Sequence, residues 1–269
     1  MDNRPIGVFD SGLGGLTAVR ELCRLLPGED IVYFGDTGRV PYGSRSRETI
    51  VKYARQDVAF LRTFDLKAIV IACGTVSTTA LDTLSEENPI PVLGVVAPAA
   101  RAAARATRNG LIGLIGTQAS IRSGAYERYI HAEHPAAQVL AQPCPLFVPL
   151  VENGRFRPGD IVIETVAAEY LQPLKKAGAD TLVMGCTHYP LLEEIIAAYM
   201  GPEVTLVNAG AEGARAVADC LRERDALAGR TQGTCRCFVS DRQEDFARIA
   251  STFLGWDVTD VGQIDISRY

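Results

Sequence analysis

The sequence predicts an α/β protein of two similar domains, each a parallel sheet flanked by helices, with the functional site in the cleft between them. Three observations carry that expectation. Short β-branched runs alternate with longer amphipathic segments along the chain, the pattern of parallel strands joined by crossover helices. Four of the strands run straight into small polar residues, where parallel sheets bind their ligands. The second half also echoes the first. Gly7-Val8-Phe9-Asp10-Ser11-Gly12 and Ile71-Ala72-Cys73-Gly74-Thr75 are matched by Gly113-Leu114-Ile115-Gly116-Thr117 and Met184-Gly185-Cys186-Thr187.

The predicted strands are Ile6–Phe9, Ile31–Phe34, Ala68–Ala72, Val92–Val96, Leu111–Ile115, Thr181–Met184, Val204–Val207 and Cys235–Val239. The predicted helices are Leu16–Leu26, Thr49–Phe64, Ala99–Thr107, Ile161–Lys176, Leu191–Tyr199, Ala211–Arg224 and Glu244–Phe253. Leu16, Val19, Leu22 and Leu26 lie on one stripe of the first helix, so one face is apolar.

With 269 residues, 47% hydrophobic and 22% charged, the chain has the composition of an ordinary globular protein. A net charge of −5 and the lack of a dense Lys/Arg run argue against nucleic acid as a partner. No apolar run reaches the roughly 18–20 residues that cross a bilayer, and Met1–Ile6 shows no secretory pattern. The expected location is the cytoplasm, with no membrane partner. Surface patches are not readable here, so a homodimer stays open. Seven cysteines, an odd number, point to reduced thiols instead of a disulfide scaffold.

Those thiols differ in setting. Cys23 and Cys220 fall on helical stripes and Cys144 sits between two prolines, all read as packing. Cys235 and Cys237 share a strand face but lack further metal ligands. Cys73 and Cys186 each follow an apolar strand and precede a threonine or a Gly-Thr, where a helix start can stabilise a thiolate. His188 stands two residues beyond Cys186 as a proton partner. A zinc site at Cys186 and His188 lacks two ligands, so no metal is expected.

Asp10-Ser11-Gly12-Leu13-Gly14-Gly15 lacks the order of a dinucleotide loop and the Gly-Lys-Ser/Thr of a phosphate loop. It reads as a turn that offers Asp10 and Ser11 to a ligand. Val40–Ser44 reads as a turn whose N–H groups could hold a carboxylate. Two thiols on opposite faces of one stereocentre suit racemisation: one removes the α-proton and the other returns a proton to the far face. The four lysines, Lys52, Lys67, Lys175 and Lys176, show no pyridoxal phosphate setting. No cofactor is implied. A two-lobed binding protein would share the cleft but not the paired thiols.

At these residues the chain resembles the glutamate racemases of the aspartate/glutamate racemase superfamily. The matching stretches are Ile6–Gly15, Tyr33–Asp36, Pro41–Gly43, Ala72-Cys73, Pro145–Glu152 and Gly185–Leu191. The resemblance implies interconversion of L- and D-glutamate, with D-glutamate feeding peptidoglycan synthesis. It implies Cys73 as the base for D-glutamate and Cys186 for L-glutamate. Asp10 would assist Cys73, His188 would assist Cys186, and Glu152 would be a supporting acid. Asp10, Ser11, Pro41, Tyr42, Gly43, Gly74, Thr75, Thr117 and Thr187 would hold the substrate. It further implies one domain from residues 1–97 plus 209–269 and a second from 98–208. One departure stands out: the family usually has Asn where this chain has Gly74. The expectation is that the Gly74 main chain supplies the missing donor and that Gly74→Asn is tolerated.

Overall fold

A computed structural model describes residues 1–258 and 261–269. The first half runs β1 (Ile6–Asp10), α1 (Leu16–Leu25), β2 (Ile31–Gly35), α2 (Arg47–Leu61), β3 (Ala68–Ile71), α3 (Gly74–Thr79), α4 (Leu81–Glu87) and β4 (Val92–Gly94). The middle continues through α5 (Val96–Ala106), β5 (Leu111–Gly116), α6 (Gln118–Arg122), α7 (Ala125–Glu133), β6 (Gln138–Pro143), α8 (Phe147–Glu152) and α9 (Ile161–Ala177). The remainder comprises β7 (Thr181–Met184), α10 (Glu193–Met200), β8 (Thr205–Asn208), α11 (Ala209–Glu223), β9 (Cys235–Val239), α12 (Gln243–Leu254) and β10 (Val261–Gln263).

The strands form two sheets, in the orders β10-β9-β2-β1-β3-β4 and β6-β5-β7-β8, and every strand pair among the described residues is parallel. The order β2-β1-β3-β4 of the first sheet recurs as β6-β5-β7-β8 in the second, while β9 and β10 extend the first sheet beyond β2. In each motif the chain leaves the central strand for one side and then returns to the other. That reversal opens a crevice at the carboxyl ends of β1 and β3, and a second at β5 and β7. Cys73 and Cys186 follow β3 and β7, so the two cysteines occupy equivalent places.

Local sequence explains these elements. β1, β2, β3 and β7 are buried along their whole length, which helix-covered parallel strands require, so they read as apolar runs without alternation. Ser46 opens α2 by accepting the Thr49 N–H at 3.3 Å, and Asp160 opens α9 by accepting that of Val162 at 3.0 Å. α9 ends at Gly178, whose φ of 84° suits glycine. α12 packs against α1 and buries Phe246, Ala250 and Phe253.

Several elements were not predicted. β6 is a largely exposed edge strand that ends in proline, and β10 has three residues. α3 is Gly-Thr-Val-Ser-Thr-Thr, a poor helix former by propensity. The helix predicted from Leu191 instead opens with a 3₁₀ turn over Tyr189–Leu192, with Pro190 in that turn, before α10 begins. Among the described residues no helix is long and apolar enough to cross a membrane.

Candidate active site

The carboxyl ends of β1, β3, β5 and β7 converge on one cavity of about 400 Å³, closed by residues 40–44 on one side and parts of 144–153 on another. Cys73 and Cys186 both line it, 5% and 8% exposed. Ser11, Pro41, Tyr42, Gly43, Gly74, Thr75, Thr117, Thr187, His188 and Glu152 line it too. Asp10 does not. Its side chain is buried behind the loop, where one oxygen accepts the Gly12 N–H at 2.9 Å and the other has no partner. Read from sequence as a ligand contact, Asp10 instead stands one layer back, because the turn at Ser11 and Gly12 faces the cavity in its place.

The Cys73 side is thiol-favouring. Burial pushes this sulfhydryl up to about 12, and the nearby Asp10 carboxylate adds to the shift. The Ser11 hydroxyl, 3.4 Å from the sulfur, and the N–H groups of Val76 and Ser11 oppose it. Burial likewise raises Asp10, against the pull of His188 and of the Gly12 and Gly15 N–H groups.

The Cys186 side is built differently. His188 Nδ1 lies 3.9 Å from the Cys186 sulfur, and Nε2 lies 3.0 Å from Glu152 Oε1, so the imidazole bridges thiol and carboxylate. Burial works against the charged ring, yet the contacts with Cys186 and then Glu152 outweigh it and lift His188 to about 10. The ring also meets Phe253 of α12 edge-on, with centroids 5.6 Å apart.

Direct contacts join the two halves. Thr75 and Thr117 hydroxyls are 3.1 Å apart, and Thr117 also caps α6 by accepting the Ser120 N–H at 3.2 Å. Gly74 also abuts the other half: a Cβ there would stand 2.6 Å from the Gly185 carbonyl oxygen. The expected free accommodation of asparagine at position 74 is therefore corrected, since a side chain would force the two strand ends apart.

Among the described residues no Lys or Arg lines the cavity. An anionic ligand would meet hydroxyls and main-chain N–H groups instead. Cys144, read as packing, is buried yet also lines the wall, as do Val148 and Gln118. Adjacency to the Pro145–Glu152 stretch was the cue to Cys144, membership of that stretch the cue to Val148, and the position just after Thr117 the cue to Gln118. Tyr42 is held by Asp36 and Asp57, its hydroxyl donating toward both carboxylates, with Arg39 paired to each. Sequence reading had not picked out Asp57 or Arg39, because neither sits at a strand end.

Fold and site together define a duplicated α/β enzyme with paired thiols at one cavity. The Asp/Glu/Hydantoin racemase family model matches residues 10–217, and the chain belongs to that family of isomerases. It is 46% identical over 264 residues to the glutamate racemase of Geobacter metallireducens, covering 98% of this chain and 97% of the relative. A glutamate racemase isoform from Bacillus anthracis superposes with a TM-score of 0.94 at 39% identity, covering 98% of each chain. The Francisella tularensis glutamate racemase, solved in complex with D-glutamate, gives 0.92 at 37% identity over 100% of each chain.

Proposed function

We propose that the protein interconverts L- and D-glutamate by two-base proton transfer at Cα, with Cys73 and Cys186 as the bases and no organic cofactor. The observation that carries this reading is the pair of cysteines at equivalent strand ends of a duplicated fold, both facing one cavity. The racemases that resemble the chain over nearly its whole length supply the substrate class.

The chemistry follows from the two environments. Cys73 holds its proton, since burial and Asp10 disfavour a thiolate there. His188 is positively charged below about pH 10, and its Nδ1 faces the Cys186 sulfur, where it would offset negative charge that develops during proton abstraction. In the L-to-D direction the Cys186 thiolate removes the α-proton, and the Cys73 thiol protonates the opposite face. The product leaves with the thiol states exchanged, ready for D-glutamate. A substrate ammonium group would offset the Asp10 charge and favour the Cys73 thiolate that the reverse direction needs. The planar carbanion requires fixed donors. Ser11, Thr75, Thr117 and Thr187 offer hydroxyls, and the turn through Pro41, Tyr42 and Gly43 offers main-chain groups. Glu152 acts through His188 and Asp10 through Cys73.

In this reading the site lies between domains of residues 1–97 plus 209–269 and 98–208. The enzyme works in the cytoplasm, and its D-glutamate supplies peptidoglycan synthesis. The direct test is polarimetry of purified protein with L-glutamate, then with D-glutamate and with aspartate. Both glutamate enantiomers should decay to zero rotation. Unchanged rotation, or a higher kcat/KM for aspartate, would overturn the assignment.

A further inference from the structure

The glycines of the loop after β1 read from sequence as room for a ligand, but Gly14 makes room for something else. A Cβ at Gly14 would overlap His188 Nδ1 and Thr187 Oγ1 and would stand 2.6 Å from His188 Cε1. Nδ1 is the nitrogen that faces the Cys186 sulfur. Thr187 would have to turn its hydroxyl to another rotamer. The imidazole cannot retreat as easily, because Glu152 holds Nε2 and the Phe253 edge abuts the ring.

Three residues further on, Thr17 in the first turn of α1 is 1% exposed, and its hydroxyl lies 2.7 Å from the Thr187 carbonyl oxygen and 3.0 Å from that of Gly14. That contact reaches from the first sheet's helix to the main chain between Cys186 and His188. The loop that carries Asp10 and Ser11 toward Cys73 therefore also abuts the opposite half of the site.

We propose that Gly14 and Thr17 are positioning residues for proton transfer at Cys186, the first by leaving space that seats the His188 ring and the second by tying down the Thr187 main chain. The inference rests on the two-thiol reading above. One segment thereby registers both halves of the reaction, Cys73 through Ser11 and Cys186 through Gly14 and Thr17.

The test uses Gly14→Ala and Thr17→Val in the full chain, with thermal melting as the fold control. Thr17→Val keeps the shape and removes only the hydroxyl, so it serves if Gly14→Ala does not fold. Three readouts separate positioning from a general structural effect: solvent-deuterium exchange at Cα of each enantiomer, the NMR titration of His188, and the double variant Gly14→Ala/His188→Asn. In both single variants exchange into L-glutamate should fall by at least about tenfold more than exchange into D-glutamate, the scale of a misplaced catalytic group. The His188 midpoint in Gly14→Ala should drop by about one pH unit or more as the ring leaves Cys186. The double variant should be no slower than His188→Asn alone. Equal losses for both enantiomers with an unmoved His188 midpoint would overturn the inference, and so would additive losses in the double variant. A wild-type protein that does not racemise glutamate overturns the proposed function itself, so the two failures are distinguishable.

Discussion

Replacing Glu152 by glutamine keeps an acceptor oxygen near His188 Nε2 and removes the charge. In the wild type the 3.0 Å contact is charge-assisted, and the ring is 6% exposed. Hydrogen bonds to charged groups contribute about 1.5–3 kcal/mol and neutral ones about 0.5–1.5. The Glu152 side chain is 32% exposed, so solvent screening favours the low end, about 1 kcal/mol. That corresponds to a little under one pH unit. The His188 midpoint should therefore fall from about 10 toward about 9 in Glu152→Gln. The chain has three histidines, so imidazole NMR signals can be assigned with few variants. Stability changes in the same sense. His188 is raised above its ordinary 6.5, so its contribution is fully present below that pH and is lost as pH climbs through about 10. In the variant the loss is complete about one unit earlier. A wild-type midpoint near 6.5, or a variant that titrates with the wild type, would refute the bridge between thiol and carboxylate.

Other consequences follow from particular contacts. Alkylation of Cys73 in the ligand-free protein should stay slow at pH 8 and accelerate as pH approaches about 12; Asp10→Asn should speed it at fixed pH, and fast reaction at pH 8 in the wild type would contradict the assigned environment. Gly74→Asn should cost about 1–3 kcal/mol of stability, the usual range for overpacking, and raise KM for glutamate; an unchanged melting temperature together with an unchanged KM would show that the strand ends part without penalty. Lys67 and Glu29 form an ion pair 1% and 2% exposed, and the Lys67 ammonium also donates to the Asp2 and Ala226 carbonyls at 2.7 and 2.8 Å. Lys67→Met should destabilise the fold by about 3–5 kcal/mol while turnover per folded molecule, measured by active-site titration, stays at the wild-type level.

The parallel sheets were legible because strands buried on both faces leave apolar runs that end abruptly in polar residues. Thr181–Met184 followed by Gly185-Cys186-Thr187-His188 is such a case, and Ala68–Ile71 followed by Ala72-Cys73-Gly74-Thr75 is another. β6 escaped notice because an exposed edge strand carries little apolar pattern, and α3 because threonine and glycine favour other conformations. At the site, residues at strand ends could be found, since local pattern marks where a strand stops. Contacts made in three dimensions could not. Nothing in the sequence tells that Gly14 abuts His188, that Gly74 abuts Gly185, or that Asp57 and Arg39 support Tyr42. The burial of Asp10 behind its own turn was hidden for the same reason, because a turn's sequence does not reveal which of its residues faces the cavity.

The central claim is that each thiol serves one face of Cα, and single-thiol variants in deuterated water test it most directly. Wild-type enzyme should place solvent deuterium chiefly in the inverted product. Cys186→Ser retains the Cys73 base and should exchange the α-proton of D-glutamate without inversion, leaving L-glutamate untouched. Cys73→Ser should do the reverse. Racemisation should fall by orders of magnitude in both, since a serine hydroxyl is a far poorer base than a thiolate. Equal washout from both enantiomers in the same single-thiol variant would contradict the account, because one base would then reach both faces and the paired strand ends would have no separate roles.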